Sequence, residues 1–338
     1  MEKYIKILEE RARLSVNWIL HDLRADGSLP VDDLGCYYKP IFPLRSAGYT
    51  AEASTLLRHT MRMFYQEDGD LRDANGRKGS GTYANNCCQV YPNGWVALGA
   101  MLLGQFDIYK KLCDGIINLY FDEEIGAIRT MCYPEKSEEY DVVSAALCAE
   151  VLALYDLPRA ERLCRFLLKM LDQHDETYFF SVAVKPFAVK AVADQKKNPY
   201  GWVDYSQPGP GQYYYYFGMP SVALAQIYEL TGKAEYLEGS KAYFDRFLSC
   251  GSAALRAPGS GKSFWASSIL YRLTGEEKYK EACLSLMDYF CKAQRGDGSF
   301  LMPHMTEADL TPKQNYNLIP EYARWFFEVA AELSGRPE

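Results

Sequence analysis

Six short polar and aromatic clusters along the chain carry residue types that acid–base chemistry needs. They read Cys36-Tyr37-Tyr38-Lys39, Tyr83-Ala84-Asn85-Asn86, Glu139-Tyr140-Asp141, Gln212-Tyr213-Tyr214-Tyr215, Lys262-Ser263-Phe264-Trp265 and Gln314-Asn315-Tyr316-Asn317. A carboxylate, a lysine and a phenol brought together can move a proton and steady the charge that develops. Asp141 is the candidate acid or base, and Lys262 the candidate partner for an anion or a carbonyl. His304 follows Phe300-Leu301-Met302-Pro303 and exchanges a proton near neutral pH, which makes it the third catalytic candidate. Tyr37, Lys39, Tyr83, Asn85, Tyr214, Trp265, Asn315 and Tyr316 are candidate substrate-binding residues, joined by Glu321 just after Pro320. Lys39 and Lys262 open helical segments, where the helix dipole disfavours a cation, so a plain surface lysine gains nothing there. Each residue also has a simpler job open to it, since Asn, Asp and Ser cap helices and Tyr packs.

Other chemistries find no support. Gly-rich phosphate loops, dinucleotide fingerprints and nucleophile elbows are missing. The run Gly76-Arg77-Lys78-Gly79-Ser80-Gly81 follows no strand-like segment and reads as a flexible flap. Ten cysteines include no C-x-x-C, and the one close pair is Cys87-Cys88. Cys148, Cys164, Cys283 and Cys291 lie in apolar helical stretches, where a thiol behaves as a small hydrophobe. No zinc-type ligand spacing emerges, so neither a metal nor another cofactor is expected. His21, His59 and His174 fall on outer helices or their ends and read as structural. A net charge of −7 without a basic block argues against nucleic acid as a partner. No apolar run is long enough to span a bilayer, and the amphipathic opening does not read as a signal peptide, so a reduced, cytoplasmic setting is expected.

What positions the clusters is a repeat. Helix-like segments end in similar turns at Asp26-Gly27-Ser28-Leu29, Asp68-Gly69-Asp70-Leu71 and Asp297-Gly298-Ser299-Phe300. A second punctuation alternates with these, as at Ala47-Gly48-Tyr49, Leu103-Gly104-Gln105, Thr231-Gly232-Lys233 and Thr274-Gly275-Glu276. The spacing predicts outer, amphipathic helices near 2–24, 50–66, 105–121, 158–173, 233–249 and 276–294. Inner, more uniformly apolar helices are predicted near 35–47, 87–103, 140–155, 213–231, 263–274 and 317–333. Alternation of the two kinds defines an all-α (α/α)6 toroid, six helical hairpins in an inner and an outer ring, as one domain over 1–338 with negligible sheet. Inner-to-outer connections are short. Outer-to-inner ones are long, nearly 40 residues between Asp175 and Gln212, and long loops in compact domains usually serve function. The candidate site is therefore the rim where the inner helices begin.

The segment Tyr289-Phe290-x3-Gln294-x2-Asp297-Gly298-Ser299-Phe300 resembles the repeat motif of squalene/hopene cyclases and protein prenyltransferases, an aliphatic pair, then Gln, then DGSW. That resemblance implies the same toroid over the whole chain. Class II terpene cyclases on this fold protonate an alkene with an acidic D-x-D-D motif. The nearest segment here, Tyr140-Asp141-Val142-Val143-Ser144-Ala145, retains one carboxylate. The zinc-holding Asp, Cys and His of the prenyltransferases have no counterpart near the fifth hairpin. With 27 Tyr and 5 Trp to line a cavity, the leading expectation is a cofactor-independent cyclase, isomerase or lyase acting on a small, partly unsaturated substrate. The alternatives are a glycan-active hydrolase, lyase or epimerase and, third, a non-catalytic carrier of a small ligand.

Overall fold

The computed structural model describes residues 1–172, 177–185, 188–189, 201–209, 211–303 and 305–335, with the backbone alone at 82, 83, 188 and 189. The chain divides into two compact units. One comprises Met1–Asn85, Gln89–Leu119 and Phe290–Glu338; the other comprises Asn86–Cys88 and Tyr120–Tyr289.

In the first unit the Glu2–Asp22 and Pro312–Ser334 helices pack along each other, although they stand at opposite ends of the sequence. Between them in the chain come Leu34–Tyr37, Ile41–Ser46, Thr50–Phe64, Tyr91–Leu102 and Phe106–Gly115. The inner segment expected over 35–47 is two short helices, because Pro40 and Pro43 lack the N–H a continuous helix would use. Tyr91–Leu102 is buried from Tyr91 to Ala100, as a helix apolar on every side must be. Phe106–Gly115 continues as a wider π-type turn over Ile116–Tyr120. The last helix starts earlier than expected, because Thr311 caps it by accepting the Gln314 N–H at 3.2 Å and Pro312 suits its first position.

The Asp-Gly turns do one mechanical job. Asp297 Oδ1 accepts from the Ser299 N–H (3.0 Å) and hydroxyl (2.7 Å), which folds the turn onto itself. Gly298, at φ +91°, lies so close to the first helix that a Cβ would stand 2.2 Å from the Leu14 carbonyl oxygen. Ser15 then donates its hydroxyl to the Gly298 carbonyl at 2.9 Å, and Gln294 donates to the Arg11 carbonyl and to Ser15 Oγ. Gly27 approaches the Thr55 carbonyl in the same manner. The motif is a clasp between helices, built where only glycine fits.

The second unit contains Val142–Leu152, Leu157–Asp172, Tyr215–Thr231, Ala234–Ser249 and Gly261–Thr274, together with Glu277–Ala293 as far as Tyr289. Gly232 and Gly275, both left-handed, close the Tyr215–Thr231 and Gly261–Thr274 helices. Gly218 lets these two helices touch backbone to backbone, for a Cβ there would meet the Ser263 nitrogen at 2.2 Å. Short strands, not foreseen from periodicity, hold the loops: Glu139–Asp141 pairs antiparallel with Val182–Val184, and Tyr178–Phe180 with Trp202–Asp204. They supply partners for loop N–H and C=O groups that no helix serves. No helix among the described residues is long and apolar enough to cross a membrane. All ten cysteines are free thiols.

Candidate functional site

Asp141 stands where a strand ends and a helix begins. It pairs across the strand with Val182, while the Val142 N–H donates to the Ser181 carbonyl at 3.0 Å. Its side chain caps the Val142–Leu152 helix, Oδ1 accepting from the Val143 N–H (3.0 Å) and Oδ2 from the Ser144 N–H (2.9 Å). Only 2% of Asp141 is exposed. Burial raises its pKa from the ordinary aspartate value and outweighs the lowering by the hydrogen bonds from Ser144, Val143 and Cys88. The Cys88 thiol lies 3.7 Å from Oδ2 and 3.0 Å from Ser144 Oγ.

A tyrosine group follows at the start of the Tyr215–Thr231 helix. The rings of Tyr215 and Tyr216 are 4.6 Å apart, and Tyr213 stands 5.5 Å from Tyr215. Burial first, then Tyr216, Tyr213 and the charge of Asp141, push the Tyr215 phenol well up, so it remains a neutral O–H donor. Lys262, second residue of Gly261–Thr274, places its ammonium 5.2 Å from the centre of the Tyr215 ring. Asp141, Tyr215 and Lys262 thus form one neighbourhood inside the second unit: a carboxyl inclined to hold a proton, a neutral phenol and a cation. Trp265 is buried one turn further along the Lys262 helix.

The first unit holds a different cluster. Lys39, 3% exposed, forms an ion pair with Glu321 and donates to the Asn317 carbonyl (3.0 Å) and Asn317 Oδ1 (2.6 Å). Its ammonium lies 5.4 Å from the Tyr38 ring and 5.8 Å from the Trp95 ring. Arg324, fully buried, stacks its guanidinium over Phe42 (4.2 Å), Trp95 (4.8 Å) and Trp325 (5.2 Å), and its Nε reaches Glu328 at 3.3 Å. The result is an aromatic wall with two buried cations set into it.

Other expected contact residues have their polar atoms engaged by the scaffold. The Tyr37 hydroxyl accepts the Leu29 N–H at 2.9 Å, and its ring stacks on His59. Tyr214 donates to the Gly209 carbonyl at 2.8 Å, and Tyr316 to Asp22 at 2.7 Å. Asn85 donates to the carbonyls of Gly79 and Gly81 and accepts the Lys78 N–H. Asn315 is half-buried near the start of the final helix. Tyr83 lies in the short Thr82–Asn86 helix, its side chain outside the description. His174, Asp175 and His304 lie outside the described residues. The 73–81 loop is fastened from within: Lys78, 1% exposed, pairs with Asp70 and donates to the Leu71 carbonyl (2.8 Å) and Asn93 Oδ1 (3.1 Å). The Ser80 N–H donates to Asp33 at 3.1 Å.

Sequence reasoning passed over Cys88, Ser144 and Arg324 as site residues, and it placed Tyr215 in a candidate cluster from which it singled out Tyr214 instead. Ser144 carried a signal, being three residues after a capping Asp. Arg324 carried none, since nothing local marks a charged residue of an amphipathic helix as its buried one.

No family model matches the chain, and no curated protein matches it in sequence. Solved structures do match in three dimensions. A D-mannose isomerase superposes with a TM-score of 0.73 at 12% identity, over 97% of both chains. The type II terpene cyclase MstE from Scytonema, bound to geranylgeranyl dihydroxybenzoate, gives 0.62 at 12% identity, over 98% of this chain and 100% of the other. A family 76 glycoside hydrolase from a bovine Bacteroides thetaiotaomicron strain gives 0.61 at 13%, over 98% and 78%. The fold is the all-α (α/α)6 toroid that these proteins share.

Proposed function

We propose that this protein is a cofactor-independent enzyme that moves a proton on a small carbonyl-bearing or partly unsaturated substrate, as an isomerase, cyclase or lyase. One observation carries the reading: a buried carboxyl whose proton affinity is raised, Asp141, is near enough for its charge to act on the neutral phenol of Tyr215, and the Lys262 ammonium lies over that ring. Asp141 would take or give the proton at carbon. Tyr215 and Lys262 would hold the substrate oxygen on which negative charge grows. Two of the resembling structures support the class, because a D-mannose isomerase and a terpene cyclase both rearrange bonds within one molecule.

The glycan reading stands second, favoured by the likeness to the glycoside hydrolase and to the mannose isomerase. Hydrolysis of a glycosidic bond ordinarily takes two carboxyl groups. The hydrogen-bond partners described for the Asp141 side chain are the Cys88 thiol, Ser144 and the Val143 N–H, and none of these is a carboxyl. His304 enters the proposal as a further acid or base, on its place in the sixth long loop.

The test is turnover in deuterium oxide, with D-mannose, D-fructose, an α-1,6-linked mannose disaccharide and geranylgeranyl dihydroxybenzoate as probes, read by mass spectrometry. An isomerase or cyclase product keeps the substrate's composition and carries solvent deuterium at carbon, a lyase product has lost an eliminated fragment, and Asp141→Asn abolishes the formation of either. A product that has gained the elements of water would transfer the assignment to hydrolysis. Tight binding of a probe with no turnover would make the protein a carrier.

A further inference from the structure

The adjacent cysteines Cys87 and Cys88 stood out in the sequence, and nothing in the proposed reaction uses them. Cys88 is fully buried in the second unit, packed against the carboxyl assigned the proton transfer. Its Sγ is 3.7 Å from Asp141 Oδ2 and 3.0 Å from Ser144 Oγ, and Ser144 belongs to the first turn of the helix that Asp141 caps. On that geometry we infer that Cys88 and Ser144 are positioning residues, a thiol and a hydroxyl stacked behind Asp141 that set the pH range over which it transfers a proton. The inference rests on the reading of Asp141 as the acid–base group.

Either way of placing the protons leads to the same end. Cys88 and the Ser144 side chain each bond to the Asp141 carboxylate, and either of them can be the donor in the contact between the two. In either case, the ionised carboxylate gains a donor beyond the two backbone N–H groups, and the neutral carboxyl does not need it. The thiol is suited to this and not to attack. Burial, then the Asp141 charge, keep it protonated far above neutrality, so it is a permanent donor and never a thiolate. Of the groups near Asp141, Cys88 and Ser144 bond to it directly, Cys87 and Cys148 act on Cys88, and Tyr215, whose phenol feels the Asp141 charge, is faced by Tyr213, Tyr216 and Lys262. The Tyr215 phenol and the Cys88 thiol keep their protons, which leaves donor geometry as the adjustable influence.

The experiment compares Cys88→Ala, Cys88→Ser and Ser144→Ala by two readouts, the pH profile of kcat and the direct titration of the Asp141 carboxyl carbon by NMR. The carbon is assigned by its disappearance in Asp141→Asn, so the titration needs no substrate. Removing a donor weakens the ionised form, so Cys88→Ala and Ser144→Ala should each move the Asp141 midpoint upward by about half a pH unit or more. Cys88→Ser, which restores a donor, should return it to the wild-type position or below. Because the midpoint moves upward whether Asp141 works as acid or as base, the direction does not depend on its role. An unchanged midpoint in Cys88→Ala overturns the inference, as does a Cys88→Ser variant that behaves like Cys88→Ala. Should Cys88→Ala not fold, Cys88→Ser and Ser144→Ala decide: an unmoved midpoint in Ser144→Ala overturns it, and an upward one with Cys88→Ser at or below wild type upholds it. Full turnover in Asp141→Asn defeats the functional reading alone, and the carbon titration still judges the role of Cys88.

Discussion

Replacing Asp141 by Asn separates two jobs that one carboxyl holds. As a helix cap it accepts N–H bonds of 3.0 and 2.9 Å from Val143 and Ser144. Asn caps about as well as Asp, so the loss of one acceptor should cost no more than about 1 kcal/mol. That cost is offset because a neutral amide need not be stripped of water as an ion. Asp141→Ala has no such relief and should lose about 1–2 kcal/mol, with two N–H groups orphaned at a buried helix start. Turnover should instead fall by about two to four orders of magnitude in Asp141→Asn, the usual worth of a general acid or base. The pH dependence of stability carries a sign that can be checked. Burial raises the Asp141 pKa in the folded protein above its unfolded value. The folded state then holds more protons between those two values, so stability falls as pH rises through that window and stays reduced above it. The Asn variant lacks this loss. Urea unfolding from pH 4 to pH 8 should therefore show Asp141→Asn gaining on the wild type by about 1.4 kcal/mol for each unit that the pKa is raised. A wild type that gains on the variant as pH climbs would mean the carboxyl is held down, and the electrostatic argument would be wrong. Full turnover in Asp141→Asn would refute the site.

Lys262→Met should lower turnover at least tenfold and shift stability by less than about 2 kcal/mol, the range of one cation–π contact; kinetics beside a thermal melt would settle it. Lys78→Met leaves Asp70 buried with Arg72 as its remaining cation, and urea unfolding should report a loss of about 3–5 kcal/mol. Gly298→Ala forces a Cβ into the Leu14 carbonyl at a left-handed position and should cost at least about 2 kcal/mol. An unshifted unfolding midpoint in Gly298→Ala would mean the clasp gives way more easily than its geometry implies.

Most of the helical plan was legible because burial writes a period into sequence. The even apolarity of Val142–Leu152 and the one-sided pattern of Leu157–Asp172 are direct consequences of which surfaces meet water. The Asp-Gly turns were legible too, since a left-handed backbone pressed on a neighbouring carbonyl admits one residue type. Helix boundaries were less so: proline split the segment near 40, and a capping threonine with proline moved the last helix start forward. For the site, sequence offered Asp141 and Lys262 singly, and it could not offer their surroundings. Cys88 stands 53 residues from Asp141, and Lys39 stands 282 from Glu321. Pairings of that span are made by the closing of the fold, and neither residue's neighbours in the chain encode them. The same limit hid the burial of Arg324 and Lys78, whose types alone predict exposure.

The first unit is assembled from chain segments that synthesis separates widely. Its opening helix finds its long partner only in Pro312–Ser334, and its clasp only at Gln294 and Gly298. The second unit, nearly continuous from Tyr120 to Tyr289, contains almost everything it needs within one stretch. On the ribosome, then, the middle of the protein has its contacts within reach first, while the earliest residues wait with an apolar stripe uncovered. At about 5–20 residues per second, the wait between Leu119 and the arrival of the final helix lasts on the order of ten seconds or more. A chain of this arrangement has reason to meet a chaperone within Met1–Leu119, and loss of the segment from Phe290 onward would leave those residues, not Tyr120–Tyr289, without their closure.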